Sequence, residues 1–415
     1  MANPLVIGVD PHPATNTSAF MDAQGHELAP RCTLPNNRPG TEAFVQQVAQ
    51  LVAAGDFDAI HIATEATGWC WWHFFQTLDR DPTLQQWPVE LYALNPRLTA
   101  NFGKAYVDLD HTDRSDAGVI ADRLRLGRDL PPPFACDERY LPLRMLTRSR
   151  CHFTHALVRE KAYFLAILYL KASEYARIKP FSDLFGVTSR AVIQEFSSLD
   201  EIAAIPLSDL AAWIDVQGRH NFPDPEANAR KLHQVARDSY VLPSALRAPV
   251  NLTLTLSLQT ISFLERQIKR LDTAIAEQLA QVPQTLESIP GVGPVYAAGI
   301  ISEIGDLARF NYEEAKVAKF AGFKWRKHQS GQFTADETEL TRRGNAYLRY
   351  YLCEAANAVR MRTAEYGAYY DRKYHEVRKH QHKRALVLTA RKLVRLVVRL
   401  LTTNQPYQAR RPTLA

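Results

Sequence analysis

No C-x-x-C pair, no run of about 18 apolar residues and no low-complexity tract occurs in this 415-residue sequence. The five cysteines (Cys32, Cys70, Cys136, Cys151 and Cys353) are scattered and odd in number, which supports neither a disulfide framework nor a zinc site and fits reduced thiols. Without a long apolar run there is no membrane span. Met1–Val9 also lacks the basic and apolar regions of a signal peptide, so the chain is expected in the cytoplasm. One more absence is local: from Arg372 to the end, Glu376 is the sole acid among many lysines and arginines. The net charge of +6 is modest, so this asymmetry carries the information. It points to a polyanionic partner, with a solvated basic face as the plainer alternative.

What is present is the balance of a globular protein, 46% hydrophobic and 23% charged, at a length that suits two or three domains. Strand and helix signals alternate at first. Leu5–Val9 is a short apolar run leading into Asp10, and Ala19–Met21 can pair back on it across a polar turn. Phe44–Val52 predicts a helix, Asp58–Ala63 a strand, Trp69–Leu78 a helix, Val89–Leu94 a strand and Asp113–Leu126 a helix. This order gives an α/β domain with a mixed sheet over 1–135, closed by Pro131, Pro132 and Pro133. Residues 136–282 read as helical. Leu143, Leu146, Phe153, Leu157, Phe164 and Leu168 mark one helix, and Ile261, Leu264, Ile268, Leu271 and Ile275 repeat at 3-4-3-4 as a short coiled-coil seam. The two helices can pair antiparallel within one chain or between chains. Leu252–Leu258 alternates as a strand does, which leaves the start of the second helix open, and Phe181 to about Ala245 is a mixed insert without a functional reading. Residues 283–415 are again mainly helical around a polar loop, Lys324–Thr341.

Four acids stand where a metal site needs them. Asp10 ends the first strand, Glu65 follows the strand Asp58–Ala63, and Asp113 and Asp116 lie three apart, on one face of a helix. Strand-end and helix carboxylates that converge can hold two Mg²⁺ ions, which together stabilise the attacking and leaving oxygens at a phosphodiester. Each acid alone reads as a turn residue or a cap, and Asp108 and Asp110 compete within the same acidic stretch. Order, spacing and strand context together favour the metal.

In the last region Ile289–Pro294 resembles a helix-hairpin-helix turn. Gly291 and Gly293 allow close backbone approach, and the N–H groups opening the next helix can bind a phosphate; a tight helix connection is the alternative. Ser330 precedes Gly331 in a polar loop, with Lys324, Arg326, Lys327 and His328 just upstream. Taken by itself a Ser-Gly in a loop is a turn. The tail helix Arg384–Leu401 is amphipathic; docking of its apolar face on the C-terminal domain, arginines outward, is expected over a membrane surface.

These motifs resemble the DEDD transposases of the insertion-sequence family called "IS one-ten", with its "eleven-eleven" subgroup. That family begins with a RuvC-like, RNase H-fold domain whose acids occur as an early Asp, a Glu before T-G, and T-D-x-x-D-A. Asp10, Glu65, Asp113 and Asp116 match them in turn, with His111 where the family usually has Lys. Its C-terminal transposase domain carries I-P-G-x-G, an A-G-hydrophobic segment, S-G and R-G-N-x-x-L-R. Here Ile289–Gly293, Ala321–Phe323, Ser330–Gly331 and Arg343–Arg349 follow in that order, with Lys324–Arg326 where many members have a proline.

The resemblance implies a transposase that cuts and rejoins DNA, with Ser330 as the nucleophile forming a phosphoserine link. Asp10, Glu65, Asp113 and Asp116 would then be the catalytic, Mg²⁺-binding acids. Lys324, Arg326, Lys327, Arg342, Arg343 and Arg349 become candidates for DNA phosphate. It further implies double-stranded donor and target DNA, a non-coding bridge RNA, a dimer that becomes a tetramer when active, and a place at the prokaryotic nucleoid. Arg144, Arg148, Arg150, Arg159 and Lys161 are the first candidates for RNA contact. The expected architecture is therefore α/β plus α: a RuvC-like domain over 1–135, a helical coiled-coil region over 136–282 and a transposase domain over 283–415. Two other readings stay open, a RuvC-like junction nuclease using metal-activated water, and a non-catalytic nucleic-acid-binding protein.

Overall fold

The structure, a computed structural model, describes residues 3–106, 112–128, 130–134, 138–325, 329–330, 333–334, 340–341 and 343–409. It divides into two compact units, Met1–Glu138 with Ala308–Asn311, and Arg139–Leu307 with Tyr312–Ala415.

In the first unit the order is β1 (Pro4–Pro11), β2 (Thr15–Met21), β3 (Glu27–Pro35), α1 (Arg38–Ala54), β4 (Ala59–Glu65), α2 (Trp72–Arg80), β5 (Val89–Leu94), α3 (Pro96–Gly103) and α4 (Asp113–Arg125). One five-stranded sheet runs β3-β2-β1-β4-β5. β1 pairs antiparallel with β2 and parallel with β4, which pairs parallel with β5, so the sheet is mixed as expected. It is the layout expected of a RuvC-like DEDD domain. β1 is nearly all apolar because both its faces are covered. On one face Phe20, Phe44, Phe74 and Phe75 pack with Leu5, Ile7 and Ile60; on the other α4 lies close. Two elements escaped the sequence reading. β3 carries Pro30 and Pro35, which an edge strand tolerates but which mask its signal. α3 is one Pro-started, Asn-capped stretch of eight residues.

α4 can lie against β1 because the contact is made of small residues. A Cβ on Gly8 would collide with the Ala117 carbonyl oxygen and the Ala121 nitrogen. Ala19 and Ala63 flank Gly8 on the neighbouring strands. Gly8 is two residues from Asp10, so this close approach sets the start of α4 against the end of β1.

In the second unit α5 (Leu141–Lys171) is followed by five short helices, α6 (Tyr175–Ile178), α7 (Val187–Glu195), α8 (Leu199–Ala204), α9 (Leu207–Gln217) and α10 (Pro225–Asp238), then by α11 (Ser244–Leu279). α5 and α11 pair antiparallel within the chain, as Arg150 meets Asp272, Lys161 meets Glu265 and Lys171 meets Asn251. The insert is thus a helical cap: Phe181, Val192, Ile202, Leu210, Ile214 and Leu232 share a core with Phe164, Leu168 and Leu254. The strand-like alternation of Leu252–Leu258 is overturned, since α11 runs through it. Leu254 and Leu258 face the core, while Leu252 and Leu256 form an outer stripe. Two apolar faces on one helix had imitated a period of two.

α12 (Pro294–Ile304), α13 (Glu314–Phe320), the short pair β6 (Gln329–Ser330) and β7 (Phe333–Thr334), α14 (Ala346–Arg362), α15 (Ala364–His375) and α16 (Gln381–Thr403) complete the chain. α16 docks as expected, with Leu393, Val397 and Leu400 buried against its neighbours. Its basic face is partly neutralised by acids from outside the tail: Arg395 pairs with Glu314 at 2.8 Å and Lys392 with Glu365 at 2.9 Å. No helix among the described residues is long and apolar enough to cross a membrane, and the described cysteines are free.

Candidate active site

The acids of the first unit converge through backbone geometry. β1 and β4 are parallel neighbours with Val9 opposite Thr64, so Asp10 and Glu65 emerge side by side at their carboxyl ends. α4 begins at the same place because Thr112 caps it: the Ser115 N–H donates to Thr112 Oγ1 at 3.2 Å, and the Thr112 N–H donates to Ser115 Oγ at 2.9 Å. That cap puts Asp113 and Asp116 in the first turn, where the positive end of the helix dipole favours carboxylates. Arg31 of β3 donates to the Arg114 carbonyl at 2.8 Å and holds that turn.

One ligand atom each from Asp10, His12 and Asp113 lie within 4.8 Å of one another. Glu65 and Asp116 stand outside this tightest set but act on it through their charge. Burial, opposed by His12 and reinforced by repulsion from Asp116 and Asp113, pushes the Asp10 carboxyl up to about 6. Burial, then repulsion from Asp10 and Asp116, raises Glu65 above the usual carboxylate range, against a hydrogen bond from Thr99. Among the described residues no lysine or arginine pairs with any of the four. Within that set of residues His12 Nδ1, 3.6 Å from Asp10 Oδ2, is the potential counter-charge. Crowded hard oxygens with one imidazole and only partly relieved repulsion fit a divalent cation. Asp108, Asp110 and His111 lie outside the described residues.

Sequence patterning does not single out His12, two positions past the strand acid Asp10. Asn36 fixes that turn, donating to the His12 carbonyl at 2.7 Å and the Cys70 carbonyl at 2.9 Å. Asn36 and Arg31 both belong to the β3 region that the sequence did not reveal.

In the second unit Ser330 occupies a β-hairpin, paired with Phe333 in antiparallel register. The hairpin is pinched at its base by an isolated bridge between Trp325 and Leu340, and by the Thr341 N–H donating to the Lys324 carbonyl at 2.8 Å. Lys324 and Arg343 are exposed there. Arg349, on α14, donates to the Ala321 carbonyl at 3.1 Å. Arg326, Lys327, His328 and Arg342 lie outside the described residues.

Gly291 has φ +100°, and a Cβ there would stand 2.8 Å from the Ala358 carbonyl on α14. Its freedom from a side chain therefore serves helix packing. Gly293 caps α12 with open space around it and no side chain bonded to the cap. A 3₁₀ turn, Leu286–Ser288, precedes the I-P-G-V-G segment.

The basic candidates on α5 have internal partners. Arg144 donates to the Ser302 carbonyl at 2.8 Å, Arg150 pairs with Asp272, and Lys161 with Glu265 at 2.9 Å. Arg148 grips Glu303 with two bonds, at 2.7 and 2.9 Å. Arg159 is exposed and pairs with no acid among the described residues.

A family model described as Transposase IS116/IS110/IS902 family matches residues 283–371, the stretch that holds Ser330 and Arg343–Arg349. A DEDD transposase model of the IS110 type matches residues 7–171, which hold all four acids. The chain is 29% identical over 293 residues (70% of this chain, 71% of the relative) to the "Insertion element IS116 uncharacterized 44.8 kDa protein" of Streptomyces clavuligerus. It is 24% identical over 322 residues (73% and 74%) to the "Insertion element IS900 uncharacterized 42 kDa protein" of Mycobacterium paratuberculosis.

Proposed function

The chain belongs to the IS116/IS110/IS902 transposase family, and from that premise we propose that it moves an insertion sequence through a phosphoserine intermediate at Ser330, served by Mg²⁺ at the strand-end acids. Membership of the family brings DNA cutting and rejoining, with DNA as substrate. The observation that carries the finer reading is the partly relieved acid cluster, in which Asp10 is pushed up to about 6.

Asp10, Glu65, Asp113 and Asp116 are the assigned ligands, with His12 beside them. Held by these residues, Mg²⁺ would supply Lewis-acid stabilisation to the phosphoryl oxygens. The Ser330 hydroxyl attacks phosphorus: its oxygen–phosphorus bond forms as the bond to the departing deoxyribose oxygen breaks. The hydroxyl proton is given up, and the departing oxygen takes one. The number of phosphoester bonds is conserved, so rejoining needs no energy cofactor. Lys324 and Arg343, with Arg326, Lys327 and Arg342, are assigned to DNA phosphate, and the open N-terminus at Gly293 to a further phosphate contact.

A structured non-coding bridge RNA is the proposed guide, held by residues 1–282, and the active species is a dimer or tetramer acting at the nucleoid in the cytoplasm. Arg159 leads the RNA candidates. Arg144, Arg148, Arg150 and Lys161 would first have to release the partners described above.

The test mixes the protein with Mg²⁺, junction DNA of its element and co-expressed flanking RNA, then runs a denaturing gel. A protein–DNA adduct that disappears in both Ser330→Ala and Asp113→Ala is the expected result. Cut DNA without an adduct, unchanged by Ser330→Ala, would replace this reading with a metal-dependent junction nuclease. A protein that binds DNA but never cuts it would leave a non-catalytic binder.

A further inference from the structure

Glu303 is the most deeply buried acid of the second unit among the described residues, 2% exposed, and neither the sequence motifs nor the acid cluster accounts for it. It sits in the last turn of α12 and collects three hydrogen bonds. Arg148 of α5 donates two, and Asn345 Nδ2 donates to Glu303 Oε2 at 2.6 Å. Burial works against the Arg148 charge, and the bonds and charge of Glu303 outweigh it. The same guanidinium lies 4.7 Å over the ring of Tyr347, the second residue of α14.

Asn345 has a second task. Its side-chain oxygen caps α14, accepting from the Leu348 N–H at 2.9 Å, so its two side-chain atoms serve two helices. Its backbone N–H donates to the Phe320 carbonyl at 2.6 Å. Just before it, Gly344 takes φ +136°, and a Cβ there would run into the Phe320 carbonyl oxygen and, at 2.9 Å, the Gly322 nitrogen. The chain leaving the Ser330 hairpin is thus sewn onto the chain entering it, and Glu303 ties that seam to α5 and α12.

We propose that Arg148, Glu303 and Asn345 form a latch that positions the Ser330 hairpin, with Glu303 as its buried anchor. This rests on the serine reading above for its effect on catalysis, though not for its effect on the hairpin. It also gives Arg148 a positioning role in place of RNA contact. A hairpin held at one end only lets its nucleophile drift, and a misplacement near 1 Å costs about a hundredfold in rate.

Capping and latching separate in Asn345→Ser, which keeps a cap for α14 but cannot reach Glu303. In the full-length protein we expect a folded protein that melts somewhat earlier, since a buried carboxylate loses one donor, with unchanged DNA affinity, adduct formation slowed by about ten- to a hundredfold, and faster hydrogen exchange across residues 320–345. Asn345→Asp, also a good cap, sets a carboxylate against Glu303 and should be slower still. Adding Glu303→Gln exchanges amide and carboxylate and should recover most of that loss, which a merely structural residue would not do. Unchanged exchange over 320–345 in Asn345→Ser overturns the latch, and so does a wild-type adduct rate with raised exchange. If wild-type protein forms no adduct while Asn345→Ser still raises exchange, the serine reading has failed and the latch stands.

Discussion

Two acidic environments in this molecule are built in opposite ways. In the first unit Asp10, Glu65, Asp113 and Asp116 crowd together with His12, among the described residues, to relieve them in part, and Asp10 is pushed up to about 6. In the second, Glu303 is buried more completely, yet a bidentate guanidinium and an amide satisfy it. Burial therefore does not mark a reactive carboxylate; missing compensation does. Where the fold leaves repulsion standing, a bound cation would relieve it. Where it neutralises an acid fully, that acid fixes geometry.

The largest effect should come from breaking the satisfied site. Arg148→Ala strands Glu303 without its cation. Removing one partner of a fully buried pair costs about 3–5 kcal/mol. With the Arg148 side chain 31% exposed, we expect about 2–4 kcal/mol, read from urea unfolding. A loss under about 0.5 kcal/mol, the size of an ordinary surface change, would erase the contrast between the two sites.

Next comes Gly8→Ala, which should force α4 away from β1 and cost about 1–3 kcal/mol as overpacking. Because Asp113 and Asp116 ride on α4, DNA cutting should fall far more than the stability loss explains. Calorimetry of Mn²⁺ binding provides the check, and intact binding in a folded Gly8→Ala protein would break the link between that seam and the acids.

Compensation can also be titrated. The folded value of Asp10, about 6, lies above its ordinary 3.8. Between these values the folded state holds more protons than the unfolded one, so stability falls as pH rises from about 4 to 6. The penalty is complete above that range. In metal-free protein we expect a decline of about 1–2 kcal/mol, absent in Asp10→Asn and flattened by saturating Mg²⁺. A metal-free stability curve that is level from pH 4 to 6 would show the cluster to be compensated after all.

The sequence carried the unsatisfied site better than the satisfied one. Asp10, Glu65, Asp113 and Asp116 sit at the ends of strongly patterned elements, so strand order alone brings them together. His12, Arg31 and Asn36 escaped because they lie on a polar turn and at a Pro-bearing edge strand, where hydrophobic period says little. Glu303 escaped for a different reason. An acid in the apolar run Ala297–Ile304 looks like an exposed face, and its partners stand 155 residues before it and 42 after. On α5 the arginines read as a basic surface, because sequence shows their charge and not the acids that meet it. The misread stretch Leu252–Leu258 has the same root: which of two apolar faces is covered is decided by the insert α6–α10.

The smallest effect concerns His12, the group that partly relieves the acid cluster. If its imidazole joins the ligand set, a borderline ion such as Mn²⁺ gains from the nitrogen more than Mg²⁺ does. His12→Gln keeps a polar side chain of similar reach and removes that nitrogen. Mn²⁺ affinity should then drop by about three- to tenfold while Mg²⁺ affinity moves by less than about twofold. Nitrogen coupling to bound Mn²⁺ should also vanish from the electron-spin spectrum. Equal losses for both ions, with no nitrogen coupling in the wild-type protein, would make His12 a counter-charge that steadies Asp10 and not a ligand. The fold would then have supplied one part of the missing compensation itself, and the acids alone would set the preference for the cation.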